Sequence, residues 1–128
     1  MATTLKEHGI GIAVKRNKKK LFIEITMLGK LTHEDYQVFV PMIDKALKMA
    51  KGLETDLLVD MKKLKGWELL AAWDDFKFGL KHRNAFDKVA IIGSKKWEEQ
   101  SVAMMSHLMK GKIKFFKERK KALSWLLK

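Results

Sequence analysis

Asp56-Leu57-Leu58-Val59-Asp60-Met61 and Val89-Ala90-Ile91-Ile92 are the two stretches that decide the fold. Each is a short apolar run without alternation. A strand with one wet face alternates apolar and polar residues, whereas a run apolar throughout is buried on both faces, as inside a parallel sheet. Between the two lies Trp67 to His82, which reads as a helix with Leu69, Trp73, Phe76 and Leu80 along one stripe. Lys62-Lys63-Leu64-Lys65-Gly66 reads as the loop that joins strand to helix.

Working outward, the pattern repeats. Upstream, Leu31 to Lys51 reads as a helix with Tyr36, Phe39, Val40, Ile43, Leu47 and Ala50 on one face. Thr32 and Asp35 have the spacing of a capping box, Gly52 ends the helix, and Pro41 should kink it. Before it, Ile10 to Arg16 and Leu21 to Met27 should pair as a hairpin turned at Asn17. Downstream, Ser94 can cap a helix running to about Met109, Ile113 to Phe116 is a last strand, and Glu118 to Leu127 is a closing helix. The order β-β-α-β-α-β-α-β-α predicts a single α/β domain over residues 1–128, with about five strands in a mixed, mostly parallel sheet and four helices.

Composition sets outer limits. The chain has 128 residues, 47% of them hydrophobic, enough for one cored domain. It has no cysteine, which excludes disulfides, thiolate metal sites and a cysteine nucleophile, and agrees with a reducing compartment. No apolar signal-peptide region or run near the ~20 residues of a spanning helix is visible, so a cytoplasmic location is expected, with peripheral membrane contact from one side as an option. The net charge of +12 is high for solubility alone.

Several segments together resemble the STAS domain of bacterial anti-sigma-factor antagonists, and more closely its SpoIIAA-like branch of stand-alone proteins. They are Gly29-Lys-Leu-Thr-His-Glu-Asp-Tyr36, Pro41, Gly66-Trp67, Trp73-Asp-Asp-Phe-Lys-Phe-Gly-Leu-Lys-His82, and Val89-Ala-Ile-Ile-Gly93 with Lys96-Trp-Glu98. The resemblance implies a SpoIIAA/STAS-like fold and a non-enzymatic protein, related to lipid-carrying and membrane-associated domains, with an apolar pocket under mobile helices. STAS antagonists carry a phosphorylatable serine after the third strand, at the start of the second helix. Here Met61-Lys-Lys-Leu-Lys-Gly-Trp-Glu68 stands there, and no Ser or Thr occurs from residue 56 to 93. A serine switch at that place is therefore not available.

Catalytic signals are poor. Gly29-Lys30-Leu31-Thr32 resembles the end of a phosphate loop, but Glu24 stands where the first glycine belongs. His8, His33, His82 and His107 form no metal pair, and the neighbours His33, Glu34 and Asp35 diverge on a helix. Gly93-Ser94 fits a cap better than a nucleophile elbow. His82 near a helix end is more simply a tolerated cation than a general base, and the adjacent Asp74 and Asp75 diverge. No catalytic residue, metal site or cofactor is expected.

Two binding features remain. If the middle strands are parallel, Lys30, Lys62, Lys63, Lys65, Lys95 and Lys96 share the carboxyl edge of the sheet with Trp67 and Trp97. Helix N-termini, whose free amides favour anions, point to the same edge. Lysine with tryptophan suits an anionic membrane surface, each lysine contributing about 1 kcal/mol before screening. Equally, such lysines fit a merely solvated rim and the indoles mere helix anchors, while Lys15 to Lys20 protect an edge. The second feature is apolar: Trp67, Leu70, Trp73, Phe78, Met104, Met105 and Leu108 would line a cleft between the second and third helices for a small hydrophobic ligand. Plain core explains such stripes too, but Met104 with Met105, and Phe76 with Phe78, cannot all turn inward. The surplus would face a pocket, a bilayer or a second subunit. Three readings follow: a peripheral membrane or lipid-binding domain; a protein-interaction module with Phe78 in its contact face; and nucleic-acid binding, permitted by charge but disfavoured because no reader motif is present.

Overall fold

The computed structural model describes residues 7–16, 19–82, 84–106 and 112–127. In chain order the elements are β1 (Gly9–Arg16), β2 (Lys20–Leu31), α1 (His33–Met49), β3 (Glu54–Trp67), α2 (Leu69–Lys81), β4 (Lys88–Ile92), α3 (Lys96–Met105), β5 (Lys112–Phe116) and α4 (Arg119–Leu126). β1 and β2 pair antiparallel, and β2, β3, β4 and β5 run parallel in the spatial order β1-β2-β3-β4-β5. This is the α/β architecture expected from the sequence. The turn expected at Asn17 and the helix expected beyond Ser106 to Met109 lie outside the described residues.

Crossovers of one hand between strands in monotonic order all pass over the same face of a sheet. The core reflects this. On one face, Leu21, Ile23 and Ile25 of β2, Leu57 and Val59 of β3 and Val89 of β4 are buried with Tyr36, Phe39 and Ile43 of α1 and Ala71 of α2. On the other, Leu58, Ala90 and Ile92 are buried with Ala122 and Leu126 of α4. Leu57, Leu58 and Val59 thus point to two different cores, which is why their run shows no alternation. The strand order has no reversal, so the carboxyl edge of the sheet carries no crevice of the kind that opens where strand order reverses; the space available to a ligand lies beneath the helices.

Thr32 caps α1 as expected: its Oγ1 accepts the Asp35 amide at 3.3 Å, and Asp35 Oδ2 accepts the Thr32 amide at 2.8 Å. The helix runs unbroken through Pro41. Pro41 and Gln37, whose carbonyl loses its partner, are both exposed, so water can satisfy the orphaned group.

The stretch read as a loop, Lys62 to Gly66, is strand. β3 continues to Trp67 and pairs with β2 as far as Leu31, through two irregularities in register. β4 pairs β3 only from Asp56 to Asp60, so residues 61–67 extend past β4 as a two-stranded ribbon with β2. Trp67 accordingly ends a strand rather than opening α2, and Leu31 closes β2 rather than opening α1.

Candidate functional site

Between the sheet and helices α2 and α3 lies a cavity of about 300 Å³. Its floor is apolar, made by Val59 and Met61 of β3, Val89 and Ile91 of β4 and Ile113 of β5. Phe76, Phe78 and Gly79 of α2 and Val102 of α3 close over it, and Trp67 and Trp97 stand in its wall. The two indoles meet edge to face, 5.5 Å apart, and Trp97 remains 40% exposed.

Three titratable groups interrupt this lining: Asp75, His82 and Glu98. Asp75 ends a part-buried chain of hydrogen bonds. Trp67 Nε1 donates to the Tyr36 hydroxyl at 2.7 Å, and that hydroxyl donates to Asp75 Oδ1 at 2.7 Å. Burial pushes the Asp75 carboxyl above its usual range, and the Tyr36 hydrogen bond pulls partly the other way. Tyr36 itself is pushed well up, first by burial and then by the charge of Asp75. His82 closes α2, with its ring against Phe78 at 4.6 Å and Nε2 3.0 Å from Asp44 Oδ1, off the line that a hydrogen bond needs. Burial lowers its pKa, opposed by Asp44, so the neutral imidazole is favoured. His82 is thus a buried ring whose pKa is pushed down, in place of the tolerated cation expected at the helix end.

Glu98, 1% exposed, is the third group. Its Oε1 accepts the amides of Ser94 at 3.1 Å and Lys95 at 2.9 Å, ahead of α3. Ser94 therefore does not cap this helix; Lys95 holds the cap position and Glu98 supplies the acceptor. Gly93 makes this possible, since a Cβ there would lie 2.8 Å from Glu98 Oε1 and 2.8 Å from Phe115 Cε1. Asp35 and Glu98 thus already occupy amides at the starts of α1 and α3, so these helix starts are not the free anion sites expected from the sequence.

The predicted ligand residues divide. Trp67 and Phe78 line the cavity. Phe78 packs inward on Phe39 at 5.3 Å, so it is not part of an outer contact face. Leu70 and Trp73 lie outside the cavity and are exposed, Trp73 stacking on Phe76 at 5.7 Å. Met104 is 74% exposed on α3. Leu108, and the side chain of Met105, lie outside what the structure describes.

The predicted basic residues stand at the same end of the molecule but wrap around it. Lys30 alternates with buried Gly29 and Leu31, and Lys63 pairs with Leu28, so both face the side opposite the cavity. Lys62 and Lys65 are exposed along the irregular stretch of β3. Lys96 and Trp97 begin α3, and Trp97 stands at the cavity wall. Lys95 is already engaged: its Nζ donates to the Leu64 carbonyl on the open edge of β3 and lies 6.0 Å from the Trp97 ring centre.

Asp74 and Asp75 both reach α1 rather than diverging. Asp74 Oδ2 is 2.5 Å from His33 Nδ1, and Asp75 takes the Tyr36 hydroxyl one turn on. Asp35 Oδ2 is held by His8 at 2.7 Å, so the neighbours His33 and Asp35 serve two different contacts. The Trp67–Tyr36–Asp75 chain and the unpartnered oxygen of Glu98 are what sequence reasoning missed. Nothing in spacing reveals contacts made across 31 to 39 positions.

A SpoIIAA-like family model matches residues 22–127. The chain belongs to that family. An uncharacterised protein of the DUF3478 family with a SpoIIAA-like fold, from Shewanella loihica, is 40% identical, with 98% of each chain covered and a TM-score of 0.82. The anti-sigma factor antagonist SpoIIAA in its unphosphorylated form shares the fold at 8% identity, with a TM-score of 0.63 over 91% of this chain and 98% of that one. No curated protein shows significant similarity to the chain. Among the described residues, no helix is long and apolar enough to cross a membrane.

Proposed function

We propose that this protein is a non-enzymatic regulatory interaction module of the STAS type that works without a serine phospho-switch. Membership of the SpoIIAA-like family supports a regulatory role, and the likeness to an anti-sigma factor antagonist makes a protein partner the natural target. The observation that carries the reading is the outer face of α2. Leu69 is 91% exposed and Trp73 55%, with Leu70 and Phe76 beside them, an apolar surface a lone domain does not need. The first residues after β3 are Glu68, Leu69 and Leu70, so no hydroxyl is present for phosphorylation to switch this face. Affinity capture from the native cell should return a stoichiometric partner or a second copy of the chain, lost in Leu69→Lys with Trp73→Lys. Recovery of the same partner by that variant, or a monomer without a partner, would refute the reading.

A second reading rests on the cavity: a small hydrophobic ligand would lie between α2 and α3, and the exposed Lys62, Lys63, Lys65, Lys96 and Trp97 would meet an anionic membrane. Flotation with phosphatidylglycerol vesicles should exceed that with neutral vesicles and fall with salt. Replacing Lys62, Lys63 and Lys65 by Glu should weaken it. Equal recovery on both lipids removes the electrostatic part.

A further inference from the structure

The cavity described above combines apolar walls with a buried acid that has half its hydrogen-bonding capacity unused. Glu98 Oε1 is fixed by two amides, whereas Oε2 is buried and has no partner among the described residues. An unpartnered buried carboxylate oxygen is costly, and such a group in a native structure calls for a partner: a ligand, an ordered water or an ion. Glu98 belongs to the cavity wall, together with Asp75. The cavity volume, about 300 Å³, is at the small end of the range for small-molecule sites.

We propose that the cavity takes a small apolar molecule carrying a hydrogen-bond donor, an alcohol or a primary amine, with the donor on Glu98 Oε2 and the hydrocarbon body along Val89, Ile91 and Phe78. This rests on the cavity reading given above and specifies its ligand chemistry. A ligand with a carboxylate head is disfavoured, because it would place a second negative charge beside Glu98 in a poorly hydrated space. A donor-less ligand of the same length fills the walls but leaves Oε2 unpaired. Asp75 offers an acid no cation, and its Oδ1 is taken by Tyr36. The lysines do not reverse this preference, since Lys95 is bound to the Leu64 carbonyl and Lys96 is exposed at the start of α3.

The test uses the full chain and four eight-carbon probes in titration calorimetry: 1-octanol, octylamine, octyl methyl ether and octanoate. Octanol and octylamine should bind, and the ether and octanoate should bind about tenfold more weakly or less. Glu98→Gln, which keeps an oxygen for the Ser94 and Lys95 amides and offers a donor, should narrow or invert the octanol-to-octanoate ratio. Because Glu98 also organises the start of α3, the ranking on the unaltered protein stands as a test by itself. Val102→Phe, which fills the cavity from α3, should abolish binding of all four. Equal binding of the four probes, or octanoate tightest, overturns the head-group assignment while leaving the cavity reading intact. No binding by any probe overturns both. Binding unaffected by Val102→Phe places the probes elsewhere and likewise overturns the proposal.

Discussion

Replacing Tyr36 by Phe removes one oxygen from a closed network while leaving the ring to pack. That oxygen accepts from Trp67 Nε1 and donates to Asp75, both at 2.7 Å. Its loss leaves an indole N–H without an acceptor and a carboxyl without its donor. Each buried orphan costs about 1–3 kcal/mol. Trp67 and Asp75 both border the cavity, where water can relieve part of this, so the expected total is about 2–4 kcal/mol. At roughly 3–5 °C per kcal/mol for a domain of this size, Tm should fall by roughly 6–20 °C. The loss should also depend on pH. The Tyr36 hydrogen bond holds the Asp75 pKa down against the effect of burial. Without it the pKa rises further, and ionising Asp75 at higher pH costs more in the folded state. Melts followed by circular dichroism at pH 4 and pH 8 should therefore show the larger penalty at pH 8. Adding Asp75→Asn, which cannot ionise, should remove that pH dependence. A Tyr36→Phe protein within about 0.5 kcal/mol of the parent at pH 8, or a penalty equal at both pH values, would refute the reasoning.

Further outcomes can be checked with the same melts. Asp75→Asn alone should raise Tm at pH 8: a folded pKa raised above the ordinary 3.8 means that stability is lost as pH rises through it, and Asn escapes that loss. Identical Tm values at pH 8 would contradict this. His82 has the opposite sense. Its folded pKa lies below 6.5, so protonation opposes folding, and stability should decline as pH falls below 6.5, less steeply in His82→Gln; parallel pH profiles would argue against it. Gly93→Ala should cost about 1–3 kcal/mol, because its methyl group meets Glu98 and the Phe115 ring at 2.8 Å. It should also weaken any cavity ligand that depends on Glu98, and a neutral substitution would show that the β4–α3 turn yields freely.

The parts of the fold legible in the sequence were those governed by local pattern. The unalternating runs at Leu57–Val59 and Val89–Ile92 signalled two-sided burial, and Thr32 with Asp35 signalled a helix start. The extension of β3 was hidden by its irregular register. Its buried positions Val59, Met61 and Leu64, followed by half-buried Trp67, are spaced two, three and three. Extra residues in β3 break the period of two, and the lysines between them imitate a loop. The cavity was anticipated as a space between two helices, and Trp67 and Phe78 line it. Its polar members were not anticipated, because Asp75 and Glu98 gain their meaning from Tyr36 and from the turn after β4, contacts that no helical or strand spacing encodes. Phe78 lines the cavity as expected, but its packing on Phe39 removes it from the outer contact face also expected of it.

The unreversed succession of strands has a consequence for how the chain acquires its shape. Each parallel strand docks beside the one made just before it, so no gap has to be held open for a later arrival. A chain leaving the ribosome can lay down β2, β3, β4 and β5 in the order of their synthesis, adding each bridging helix as it emerges. The exception is α4, which follows β5 and lies on the far side, where it covers Leu58, Ala90 and Ile92. Until α4 emerges, the growing sheet carries a bare apolar back, a surface open to non-native association in that interval.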